Sequence, residues 1–96
     1  MRGSTIVPAT TVTKICDGGE LVGSVTRAVR NLMLKNSGPD PCYIQWTEDD
    51  SSTLDENNGF PLDAGAAIGI SRERGSPPVY GYCVALETAT ISFMGE

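Results

Sequence analysis

The sequence predicts a small all-β domain, a sandwich or barrel of seven or eight antiparallel strands, and three observations carry that reading. Short runs alternate apolar and polar residues at a period of two in Cys42–Thr47, Ala66–Ser71 and Thr88–Phe93. They are bounded by two turn phrases, Asn36-Ser37-Gly38-Pro39-Asp40-Pro41 and Asn58-Gly59-Phe60-Pro61-Leu62-Asp63-Ala64-Gly65, rich in the residues that break regular structure. Turn signals recur roughly every 8–12 residues, the spacing of sandwiches and barrels.

Taken in order, residues 1–11 read as an N-terminal arm, flexible or strand-swapping, interrupted by Pro8. Residues 12–96 read as the single β-domain. Thr10 to Cys16 is rich in Thr, Val and Ile and suits a strand. Asp17-Gly18-Gly19 is a tight-turn signal, and Leu21 to Val25 can return as its hairpin partner. Ser24 to Asn36 is ambiguous. Val25, Ala28, Val29, Leu32 and Met33 recur at helical spacing, with Ser24 as a cap and Asn36 and Gly38 as a stop. A strand over Val29 to Lys35 instead turns Leu32 and Leu34 inward, with Arg30 and Asn36 at the margins and Met33 facing out or toward a neighbour. Val79 to Leu86 is apolar on both faces, so it is expected to be a central strand or one covered by a neighbouring subunit. Thr47 to Asn58 and Arg72 to Pro78 read as loops.

The chain of 96 residues suffices for one domain and not two. A domain this size buries about 60–65% of its unfolded surface, so oligomerisation would add useful burial. Apolar residues at 40% and charged residues at 20% place it among globular chains. No apolar run approaches a membrane span, and Met1-Arg2-Gly3-Ser4 opens no secretory signal. A soluble protein made in a cytoplasm, with no membrane partner, is the expectation. Seven basic against twelve acidic residues leave a net charge of −5. That balance disfavours nucleic acid, which is held by clustered Lys and Arg. Arg27, Arg30 and Lys35 form the densest basic group, and solvated edges account for them.

Chemistry-bearing patterns are sparse. Cys16, Cys42 and Cys83 are widely spaced and the chain has no His. Three thiolates and a carboxylate make an unusual zinc set, so reduced, buried cysteines are expected and no metal or cofactor. Glu48, Asp49, Asp50, Asp55 and Glu56 invite a calcium reading. Counting from Asp49, the sixth residue is Leu54 and the twelfth Phe60, which breaks the EF-hand pattern. Without His the usual base for Ser or Thr nucleophiles is missing, and no phosphate-binding glycine loop occurs. The chain does not read as an enzyme. Tyr80 and Tyr82 share one strand face and could join Tyr43, either as a sugar-stacking platform or, the stronger reading, as a protein contact.

Three segments together point further: Val29 to Gly38, Pro41-Cys42-Tyr43-Ile44, and Asn58 to Gly65. They resemble small structural proteins of tailed bacteriophages. In these an arginine-bearing strand ends in an Asn-x-Gly turn, followed by a Pro–aromatic–aliphatic strand and an Asn-Gly-Phe-Pro-Leu phrase. The likeness spans about two thirds of the chain, from Val29 to the closing strands at Tyr80–Phe93. The acidic insertion before Asn58 and the N-terminal hairpin depart from the pattern. The resemblance places a strand at Val29–Lys35, which decides the ambiguous segment. It implies a β-sandwich or jelly-roll-like module of the virion, assembled in the host bacterial cytoplasm. A capsid decoration (cement) protein ranks first. It would be a homo-oligomer, a trimer, bridging copies of the major capsid protein or other virion proteins. Head–tail, collar, fibre or spike components, and a glycan- or receptor-binding module, are the alternatives. The contact residues expected are Val7, Val79, Tyr80, Tyr82 and Val84.

Overall fold

A computed structural model describes residues 2–16, 29–47, 53–73 and 77–95. Eight strands follow in chain order: β1 (Arg2–Val7), β2 (Thr13–Cys16), β3 (Val29–Pro39), β4 (Cys42–Gln45), β5 (Phe60–Leu62), β6 (Ala67–Glu73), β7 (Val79–Tyr82) and β8 (Ala89–Gly95). They form two four-stranded sheets, β1-β8-β3-β6 and β2-β7-β4-β5, packed face to face. The pairing is nested: β1 with β8, β2 with β7, β3 with β6 and β4 with β5, all antiparallel. One long double ribbon has thus been folded over, and the roll is closed where β8 meets β3 and β7 meets β4. That is a jelly roll, a double-sheet architecture of two Greek keys.

The period of two does the packing. Leu32, Leu34 and Asn36 point inward from β3 while Asn31, Met33 and Lys35 face out. Ala89 and Ile91 from β8, Cys42 and Ile44 from β4, and Val79 from β7 meet them in one core with Val7, Ile15, Leu62, Ile70 and Cys83. Each fully buried Leu or Ile contributes about 1.5–3 kcal/mol relative to exposure. Gly81 lets the layers close. A Cβ there would lie 2.9 Å from Ile15 Cδ1 and 3.0 Å from Cys42 Sγ.

Val29–Lys35 is strand, as the β context requires, despite its helical spacing. Seven residues of β3 pair with β6, and long-range pairing on both edges outweighs local periodicity. Two readings of the sequence are corrected. The arm expected over residues 1–11 begins with β1, an edge strand paired with β8 from Arg2 to Val7. Pro8 ends this strand instead of interrupting an arm. The chain then crosses to the second sheet, with Thr10 N–H donating to Cys83 O at 2.7 Å. Inside the second turn phrase lies β5, with Pro61 on a sheet edge, where a missing N–H costs no ladder bond. The turn and hairpin expected at Asp17 to Val25 lie outside the described residues, as do Arg27, Glu48, Asp49 and Asp50.

The Asn-Ser-Gly-Pro-Asp-Pro phrase carries β3 from one sheet to the other. Asn36, fully buried, accepts from Gly38 N–H at 2.7 Å through Oδ1. Its Nδ2 donates to Asp40 O at 2.8 Å and to Leu62 O at 2.9 Å. Its own backbone carbonyl accepts from Gly65 N–H at 2.7 Å. One side chain therefore ties the β3–β4 crossing to the β5–β6 crossing, and leaves none of its hydrogen-bonding groups unmade.

Candidate contact surfaces

The outer face of β2-β7-β4-β5 gathers every tyrosine of the chain. Tyr43 and Tyr82 stand opposite one another across β4 and β7, and Tyr80 lies opposite Gln45 on one side and Lys14 on the other. Alternation puts them there: Cys42, Ile44, Val79 and Gly81 take the inner positions, so their neighbours must face out. All three are half-buried, each shielded by the strand beside it. Pro61 stands opposite Tyr43 from β5. Gly59 passes so close that a Cβ would sit 2.7 Å from Tyr43 Cβ. Trp46 and Phe60 close the neighbouring end of the sandwich edge to face, their centroids 5.6 Å apart. The result is an aromatic surface set by the pairing of β4 with β7 and β5.

The outer face of β1-β8-β3-β6 is of another kind. Met33 and Met94 stand in register and are 51% and 60% exposed. They form a ridge between two open hollows. One is lined by Asn31, Gly69, Ile70 and Ser71, the other by Arg2, Gly3, Ser4, Lys35, Ala67 and Ser92. Small side chains floor both, and a Cβ at Gly69 would meet nothing within 4 Å. Ile6 adds a further exposed apolar group on β1.

Cys42 and Cys83 are buried beneath the tyrosine face, and their thiols hydrogen-bond to each other. Burial pushes the Cys42 thiol up to about 12, helped by the charge and hydrogen bond of Cys83. Burial likewise raises Cys83, with Glu87 and Asp40 adding to it and the bond from Cys42 opposing. Both are poor nucleophiles as a result. Below the acidic insertion, Asp55 accepts from Asn57 N–H at 2.8 Å and Asn58 Nδ2 donates to Thr53 O at 2.7 Å. These side chains serve the turn itself. Among the described residues, no three of Cys, Asp or Glu gather in a group able to hold a metal.

Of the contact residues expected from the sequence, Val7 and Val79 lie in the core with no exposed area. They have nothing to offer a partner, because alternation turns their neighbours Ile6 and Tyr80 outward instead. Tyr80 and Tyr82 face out, and Val84 is half-buried in the turn that follows β7. The Met33–Met94 ridge and the fully exposed Leu86 were not singled out from the sequence. Met33 carried the one available signal, as the outward residue of an alternating run.

Comparison with protein-family models, curated proteins and solved structures finds no match to this chain.

Proposed function

We propose that this chain is a virion structural protein of a tailed bacteriophage, a capsid decoration (cement) protein that binds the assembled head shell. The observation that carries the reading is the outer face of β2-β7-β4-β5, where Tyr43, Tyr80 and Tyr82 share one surface. Tyrosine is enriched at protein interfaces because a rigid ring gives large contact area while its hydroxyl finds a polar partner. Jelly rolls serve in viral shells and in lectins alike, so the fold does not choose between them. The resemblance of Val29–Gly38 and Asn58–Gly65 to phage structural proteins supports the shell.

The mechanism is adhesion without turnover. A homo-oligomer, taken as a trimer, seats its tyrosine faces on neighbouring copies of the major capsid protein and resists the outward pressure of packaged DNA. The work is burial of aromatic and apolar area, at about 25 cal/mol per Å² before the costs of association. Co-sedimentation of the purified chain with undecorated capsids tests it. Binding is expected to be lost in Tyr43→Ser/Tyr82→Ser with the fold retained. A chain that ignores the shell but binds glycans through the same tyrosines overturns the proposal in favour of a sugar-binding module.

A further inference from the structure

The turn from β7 to β8 concentrates two unfavourable features on one residue. Leu86 sits at φ +68°, where an L side chain crowds its own carbonyl and glycine is the usual occupant. Glu87 N–H donates to Val84 O at 3.1 Å, which makes Leu86 the third residue of a four-residue turn, the position that type II turns assign to Gly. The leucine side chain is also 100% exposed. Glycine would remove both penalties, so stability does not explain this residue; strain of this kind is held where it serves a purpose. Two carboxylates stand beside it. Glu87 is next in the chain, and Asp40 Oδ2 accepts from Thr88 N–H at 3.1 Å.

A complement exists elsewhere on the same chain. The hollow beside the Met33–Met94 ridge is apolar and floored by Gly3, Ser4, Ala67 and Ser92, with Arg2 and Lys35 at its border. Among residues 2–6 of β1, 31–35 of β3, 67–71 of β6 and 90–94 of β8 that alternate onto this face, none is a carboxylate. We propose that Leu86 of one copy seats in this hollow on a second copy, bringing Glu87 and Asp40 against Arg2 and Lys35.

The occupant is a second copy for reasons of placement and charge. Ala89 opens β8 beside the Leu86 turn, whereas Met94 stands near its far end. The hollow begins at Ser92, about 10 Å along the strand from Ala89 at 3.4 Å per residue, and runs to Met94 at about 17 Å, so the knob does not seat in the hollow of its own chain. In a chain of net charge −5 the hollow is a basic-rimmed exception, and the acidic knob is its match. A hollow-to-hollow dimer would set Arg2 and Lys35 against their own copies, which like-charge repulsion disfavours. The contact is therefore head to tail, and such contacts close into a ring when the rotation permits.

This inference rests on reading the chain as an assembly module, yet it fails separately from shell binding. Sedimentation velocity on the full chain over a wide concentration range, with thermal melting alongside, tests it. The native sequence is expected to self-associate. Leu86→Gly is expected to be monomeric and to melt higher, so loss of assembly cannot be ascribed to misfolding. Lys35→Glu and Glu87→Lys are each expected to weaken association by about tenfold or more, and their combination to restore most of it. A native chain that stays monomeric overturns the proposal, including one that binds anionic vesicles or another protein through Leu86. So does Leu86→Gly associating as tightly as the native chain, or a double charge swap without recovery. If Leu86→Gly is monomeric but still binds shells, self-docking stands and the cement reading is untouched. If the native oligomer ignores shells, self-docking stands and the cement reading falls.

Discussion

Connections between the sheets solve the same problem in two opposite ways. The β3–β4 crossing and its neighbour β5–β6 reach positive φ with glycine, at Gly38 (+91°) and Gly65 (+86°). They bury Asn36 between them with its side-chain donors and acceptor paired. The β7–β8 turn reaches positive φ with Leu86 and leaves that side chain in water. The first arrangement minimises the free energy of the isolated domain. The second raises it, and the gain has to come from something outside the domain. Where a chain departs from its own cheapest solution, assembly is the place to look.

The largest effect that would sharpen this contrast is at Asn36. Asn36→Ala removes two buried hydrogen bonds and one part-buried one, and leaves the Leu62 and Asp40 carbonyls and the Gly38 N–H without that partner. At about 1–3 kcal/mol for each group left unsatisfied, a loss of about 3–5 kcal/mol is expected by urea denaturation. A loss below about 1 kcal/mol would break the claim that this residue holds the crossings together.

Alkaline pH probes the buried thiols at the root of the β7–β8 turn. Cys42 keeps its proton to about 12 when folded and gives it up near 9 when unfolded. Between those values the folded state binds more protons than the unfolded state, so stability falls as pH rises. The slope is about 1.4 kcal/mol per pH unit, and below pH 9 this thiol contributes no slope. Denaturation midpoints of the native chain and Cys42→Ala, compared across that range, measure the difference; parallel curves would refute it.

Gly38→Ala should cost about 1–2 kcal/mol from backbone strain alone, since its Cβ would stand at an ordinary 3.7 Å from Ala64 Cβ. The smallest effect has the opposite sign. Leu86→Gly is expected to stabilise the monomer by about 1 kcal/mol, strain relief being partly offset by the greater freedom of an unfolded glycine. If Gly38→Ala and Leu86→Gly shifted the unfolding midpoint in the same direction, the comparison of the two turns would collapse.

Much of the sandwich was legible residue by residue. Cys42–Gln45 and Ala89–Phe93 alternate cleanly because each strand has one wet and one dry face, and that demand is written locally. β1 and β5 were harder to see. Each is an edge strand next to or containing a proline, and proline is a strand-breaking signal unless the strand is known to lie at an edge. Of the surfaces, the Tyr80–Tyr82 pair followed from the period of two. Its junction with Tyr43, open in the sequence, was decided by the register of β4 against β7. Val7 and Val79 read as contacts because apolar residues in an arm or a two-faced strand look available; register turns both into the core between the sheets.

Sequence alone determined the class of fold and the turn phrases that carry the chain between sheets, and the strand at Val29–Lys35 once its β surroundings were weighed together with the resemblance. Alternation and turn chemistry are local properties, so they survive without the partner strands. Tertiary structure alone decided the nested pairing, the role of Asn36 and the exposure of Leu86. Asn36 takes its meaning from the carbonyl of Leu62, twenty-six residues away. Leu86 takes its conformation from the short return of β7 into the opposite sheet. The Met33–Met94 ridge exists because β3 and β8 pair in one register and not the next. Each of these depends on which distant segments meet, and the one-dimensional pattern records which residues want burial without recording against what.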